Sequence, residues 1–125
     1  MKRYLIESWV LLLLFEFEMR FRDMKTLHGI VSKHPVHPTN CTGGPSSEML
    51  CRAMEYACVF YFRRVRCFQR SCATTLLLRH YGWDAEMVIG AQLVPFKSHA
   101  WVEIKGAVVN DKPYMLDIYQ VLERC

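Results

Sequence analysis

The segment FKSHAWVEIKGAVVND, Phe96 to Asp111, opens a hydrophobic strand pattern on a histidine and closes on an aspartate beyond a Lys105-Gly106 turn. An imidazole can hold or take the proton of a thiol, and a carboxylate can orient the imidazole. Period-two alternation puts His99, Trp101 and Glu103 on one face of the strand and Ala100, Val102 and Ile104 on the other. The second set reads as core. The mixed first set suits the wall of a cleft, with Trp101 either lining it or part of the core, and Glu103 reads as a solvated strand residue. His99 and Asp111 would then be two members of a catalytic group whose third member is a cysteine elsewhere.

The chain has six cysteines. The one to act as nucleophile should stand at a helix N-terminus, where unpaired amides and the helix dipole lower the thiol pKa and can receive an oxyanion. Cys67 sits at the expected start of a helix. Cys72 lies more than a turn inside it, Cys58 lies deep in the preceding helix, and Cys125 is terminal. Cys51, in a first turn, and Cys41, before a glycine loop, are rivals. Hairpin register bears on the pairing. A two-residue turn at Lys105-Gly106 sets His99 opposite Lys112 and sends Asp111 to the wrong face. A three-residue turn over Ile104-Lys105-Gly106, or a bulge, brings Asp111 to His99. Catalytic pairing therefore requires an irregularity in this hairpin.

The elements that must position these residues follow from periodicity. Tyr4 to Met24 reads as a helix apolar over most of its circumference, hence largely buried. Lys33-His34-Pro35-Val36-His37-Pro38 cannot be regular helix, and loop continues through Gly43-Gly44-Pro45. Ser46-Ser47-Glu48 starts a second helix that frays near Arg63-Arg64-Val65-Arg66. A third runs from Cys67 to His80, with Gly82 as its cap. The period then changes to two: Ala85 to Leu93, Ser98 to Ile104 and Ala107 to Asn110 read as strands, and Pro113 to Leu122 as irregular or short helix. Helices followed by an antiparallel sheet make an α+β fold. Residues 1–45 form a helical segment and loop, and residues 46–125 the core, of one compact domain.

At 125 residues, 52% hydrophobic and 22% charged, the chain is globular, and its net charge of +4 does not by itself argue for nucleic acid. No export signal is convincing: Glu7, Glu16 and Glu18 interrupt the apolar N-terminal run and no small-residue cleavage site follows. That run is also too short to span a bilayer. A cytoplasmic setting with reduced thiols is expected, and the remaining cysteines read as small buried hydrophobes. The first helix could make the chain membrane-peripheral by lying on a bilayer surface, but its lack of a cationic face favours core, or a surface for a partner. His34 and His37 in a proline-rich loop make a poor metal pair, so no metal or other cofactor is expected. Arg63, Arg64, Arg66 and Arg70 form a basic cluster that reads as solvated surface, or as a dock for an acidic peptide.

The string CFQRSCATTLLLRHYGWDAEMVIG, followed by PFKSHAWVEIKGAVVND, resembles the lasso-peptide leader peptidases, which are transglutaminase-like cysteine proteases. The residues that carry the likeness are Cys67, Arg70-Ser71, Gly82, Val88-Ile89-Gly90, His99-Ala100-Trp101-Val102-Glu103 and Asn110-Asp111, over roughly Glu48 to Leu122. The resemblance implies a papain-like core of helices on a small antiparallel sheet. It makes Cys67 the nucleophile, His99 the base and acid, and Asp111 the orienter, with Trp101 and Arg70 as candidate substrate contacts. The substrate implied is the leader of a ribosomally made precursor. The partners implied are a small leader-recognition protein in trans and the ATP-dependent lasso cyclase. Position 72 departs from the usual aliphatic residue, so Cys72 could oxidise with Cys67 or replace it. Two other functions fit the same residues: a transglutaminase-like acyltransferase or amidase, with an amine in place of water, and a non-catalytic scaffold of the same pathway.

Overall fold

The computed structural model describes residues 2–21, 29–31, 33, 46–62, 65–93, 96–110 and 118–124. Helix α1 (Lys2–Phe21) has two apolar faces. Leu12 and Phe15 point inward and are fully buried, each contributing roughly 2 kcal/mol of transfer free energy. Ile6, Val10, Leu13, Leu14 and Phe17, at i, i+4, i+7, i+8 and i+11, form a second stripe that is 40–62% exposed. The expectation of a largely buried helix is thus corrected. Neighbouring helices cover one side of the cylinder, and the outer stripe meets none of the described residues closely enough to be buried. Met24, the expected end of this helix, lies outside the described residues.

Helix α2 (Ser47–Phe60) starts as its sequence requires: Ser46 is the N-cap, and its Oγ accepts the Met49 N–H at 3.1 Å. It ends in extended backbone at Tyr61, and Arg63 and Arg64 are outside the described residues. Its buried residues, Leu50, Cys51, Ala53, Met54 and Ala57, fall on one face. Helix α3 (Cys67–His80) is central and buried from Phe68 to Arg79, with Arg70 alone in that span half-buried. The hydroxyls of Thr74 and Thr75, buried with it, donate back to the carbonyls of Arg70 and Ser71, both at 2.7 Å. The helix closes on Gly82 at φ 89°, with Trp83 N–H on Leu78 O and Gly82 N–H on Arg79 O. Lys33 is helical, while His34 to Pro45 are not described.

A four-stranded antiparallel sheet follows, in the order β3-β2-β1-β4, from β1 (Ala85–Leu93), β2 (Phe96–Ile104), β3 (Ala107–Val108) and β4 (Gln120–Arg124). The α+β architecture is as expected. β4 was not: it overlaps the stretch read as irregular or short helix. Its pairing partner is β1, some 30 residues away in sequence, with a register shift between Ile89 and Gly90. Five residues with so few inward apolar positions carry little strand signal of their own.

The sheet has two working faces. Ala85, Met87, Ala100 and Val102 join the helices in the main core. On the other side Val88 and Trp101 pack with Val108, Tyr119 and Val121. Glu103 belongs to this second side and is 1% exposed, which corrects its reading as a solvated residue. Its two carboxylate oxygens take the Trp101 Nε1–H at 2.8 Å and Arg124 Nη1 at 2.7 Å, the partners a buried carboxylate needs.

Candidate active site

Cys67 is the first residue of α3. The N-cap, Arg66, is extended and makes no side-chain capping bond, so the first-turn amides are not closed off by it. The Cys67 thiol is half-buried and its pKa lies below the ordinary thiol value. The largest cause is a side-chain hydrogen bond with His99; burial opposes it, and the Ala100 and Phe68 amides and the charge of His99 add to it. The sulfur therefore sits where the helix N-terminus meets the outer edge of β2, held by an imidazole and two N–H groups.

His99 projects from the face of β2 that carries Trp101, as alternation required. Its ring stacks on Tyr119 at 5.4 Å between centroids and on Trp101 at 6.1 Å, both at 27°. Gly90 lies opposite His99 on β1. A Cβ there would come within 2.6 Å of Trp101 Cη2 and 2.9 Å of Tyr119 Cβ, so the absence of a side chain is what lets the aromatic floor form. Trp101 itself is fully buried. It forms the core beneath His99, the second of the two places the sequence allowed for it.

Asn110 ties β2 to α3. Its Oδ1 accepts the Val102 N–H at 2.7 Å, its Nδ2 reaches Ser71 Oγ at 3.5 Å, and its carbonyl accepts from Arg70 Nη2 at 3.3 Å. Ser71 Oγ in turn donates to Ala100 O at 2.9 Å. Arg70, expected as a substrate contact, is turned into this network. The network fixes the start of α3 against β2, and with it the distance from Cys67 to His99. Asn110 and Ser71 were readable only as parts of the resembling motif, and Tyr119 carried no signal.

The hairpin has a two-residue turn, with Ile104 opposite Ala107 and positive φ at both Lys105 (51°) and Gly106 (82°). The three-residue turn is absent, yet an irregularity exists. Val109 N–H bonds Val102 O at 2.9 Å, but Val102 N–H goes to the Asn110 side chain. The ladder bends at residues 109–110, one residue before Asp111. Asp111 lies outside the described residues.

Beside Cys67 opens a cleft of about 890 Å³, walled by Val65, Arg66 and Gln69 on one side and by Glu16, Met19 and Arg20 of α1 on the other. The other described thiols are unlike Cys67. Cys72 is fully buried with Sγ 3.4 Å from Met87 Sδ, facing the core, which removes it as a replacement or disulfide partner for Cys67. Burial pushes the Cys51 thiol up to about 11 and raises that of Cys58. Cys41, Cys125, His34 and His37 are not described. Among the described residues no group of three His, Cys, Asp or Glu could hold a metal ion. No helix among them is long and apolar enough to cross a membrane.

Comparison with known proteins adds two findings. A family model of the transglutaminase-like superfamily matches residues 11–124. The chain is also 43% identical over 56 residues to the microcin J25-processing protein McjB of Escherichia coli. That stretch covers 45% of this chain and 27% of McjB, so the chain spans about a quarter of that relative's length. No solved structure matches.

Proposed function

Because the chain belongs to the transglutaminase-like superfamily, we propose that it is a cysteine peptidase of lasso-peptide biosynthesis that removes the leader from a ribosomally made precursor. The observation that carries this reading is the hydrogen bond between Cys67 and His99 at the uncapped start of α3, with the thiol pKa lowered. The likeness to a microcin-processing protein supports the substrate class proposed.

In this proposal the Cys67 sulfur adds to the carbonyl carbon between leader and core. The oxyanion forms against the first-turn amides of α3, of which the Cys67 N–H has no partner within the helix. The C–N bond breaks, the proton held at His99 passes to the amine of the core, and the leader stays on Cys67 as a thioester. Water then gives a proton to His99 and attacks the thioester, releasing the leader carboxylate and restoring the thiol. Asp111 orients His99, and the cleft between α1 and Cys67 receives the peptide. A small leader-recognition protein delivers the precursor, and the exposed apolar stripe of α1 is a surface suited to it or to the ATP-dependent cyclase that uses the freed amine. The setting is the cytoplasm.

The test is a mass spectrum of a candidate precursor incubated with its recognition protein and this chain, wild type or Cys67→Ala. Leader and core masses that vanish in the variant support the reading. Intact precursor with both forms, the partner demonstrably bound, refutes it. A precursor that gains the mass of an amine would replace hydrolysis by acyl transfer.

A further inference from the structure

Strand β2 is nine residues long, but β3 covers little of it. β3 pairs only with Glu103 and Ile104, and the Val109–Asn110 bend extends that cover to Val102. At Ala100 the neighbour is no longer a strand. The Ala100 carbonyl takes the Ser71 hydroxyl, and its N–H points to the Cys67 sulfur. Beyond that, toward the start of β2, Phe96, Lys97 and Ser98 are exposed, Phe96 to 72%.

Backbone direction in a strand repeats every two residues. Val102 and Ala100 turn their N–H and C=O to this outer edge, so Ser98 and Phe96 do so as well. Ladder partners stand on the inner side only, Ala91 opposite Ser98 and Leu93 opposite Phe96; on the outer edge none of the described residues forms a backbone ladder with these two positions. An exposed strand edge with an apolar tip is a template for another strand, and folded proteins usually blunt it. Here it runs straight to the nucleophile: the Ser98 groups lie two residues, roughly 6.8 Å, from the Ala100 N–H that touches the sulfur.

We infer that the substrate peptide binds as an added β-strand along the Phe96–Ser98 edge of β2. The peptide residue opposite Ser98 exchanges two backbone hydrogen bonds with it, and the bond to be cut lies two residues farther on, at Cys67. This rests on the peptidase reading and adds to it how the substrate is held. Recognition through backbone groups tolerates varied side chains close to the cut. It leaves sequence choice to the cleft on the other side of Cys67 and to the delivering partner.

The probes are synthetic ten-residue peptides spanning a precursor's leader–core junction, each N-methylated at one backbone amide. The readout is protection of Cys67 from iodoacetamide, followed by peptide mapping, which reports binding whether or not cleavage occurs. Strand addition gives a period of two: methylation at the positions facing Ser98 and Phe96 raises the half-protecting concentration about tenfold, which is 1.4 kcal/mol, and methylation at the position between them does not. Ser98→Pro removes the edge N–H at a place where a strand tolerates proline. It should weaken protection similarly while the iodoacetamide rate without peptide stays within twofold. Uniform sensitivity, no sensitivity, or no protection at all overturns the inference. Precursor cleavage that depends on Cys67 but ignores Ser98→Pro overturns it while sparing the peptidase reading. Absence of cleavage alongside period-two protection does the reverse.

Discussion

Gly90→Ala tests whether the floor under His99 is as tight as described. The added methyl would sit 2.6 Å and 2.8 Å from two atoms of the Trp101 ring and 2.9 Å from Tyr119 Cβ. None of these can give way cheaply. Trp101 is fully buried and its indole N–H is held by Glu103, and Tyr119 Cβ is next to backbone. Overpacking of this kind costs about 1–3 kcal/mol. For a chain of this length that lowers the melting temperature by roughly 4–12 °C. Because both displaced rings stack on His99, the imidazole should move as well, and the Cys67 thiol pKa should rise. The assay is thermal unfolding by circular dichroism, with the pH dependence of Cys67 alkylation on the same samples. Trp101→Phe removes the clashing ring atoms, so the Gly90→Ala cost measured in that background should shrink by at least half. A Gly90→Ala protein with an unchanged melting temperature and an unchanged Cys67 profile would refute the close approach of β1 to the aromatic floor.

Four further outcomes follow from the same geometry. His99→Ala removes the largest cause of the lowered Cys67 pKa. The wild-type alkylation rate should rise with pH and level off earlier than that of an ordinary thiol, and the variant's curve should move to higher pH, with a slower rate at pH 7. Arg124→Met leaves the buried Glu103 carboxylate without its cation. Since Arg124 is itself 40% exposed, solvent screening brings the expected loss to about 2 kcal/mol, below the roughly 3–5 kcal/mol of a fully buried pair, read by urea denaturation. Asn110→Ala strands the Val102 N–H and loosens α3 from β2, costing about 1–3 kcal/mol by the same measurement. Cys72→Ala, deep in the core, should cost about 1 kcal/mol and leave Cys67 alkylation unchanged, as checked by peptide mapping.

Local chemistry explains which parts were readable in the sequence. The serine cap at Ser46, the start of α3 at Cys67 and the run from Ala85 to Leu93 were placed correctly because short-range rules govern each of them. Alternation likewise sorted His99, Trp101 and Glu103 from Ala100 and Val102. What failed depended on distant partners. Glu103 looked solvated because its cation, Arg124, belongs to a strand that only pairing with β1 creates. α1 looked buried because apolar residues surround it, and sequence does not say that its neighbours cover one side only. An irregularity in the hairpin was expected, but the form it takes was hidden. A side-chain amide replaces a backbone acceptor at Asn110, which no turn rule specifies.

The central claim is that Cys67, with His99, is acylated by the leader. Its most direct test is the intact mass of the chain after acid quench of a reaction with excess precursor and its recognition protein. The account requires an adduct of leader mass minus one water, mapped to Cys67, labile to hydroxylamine, and absent in Cys67→Ala. Cleavage at full rate by Cys67→Ala, or an adduct on another residue, would contradict it.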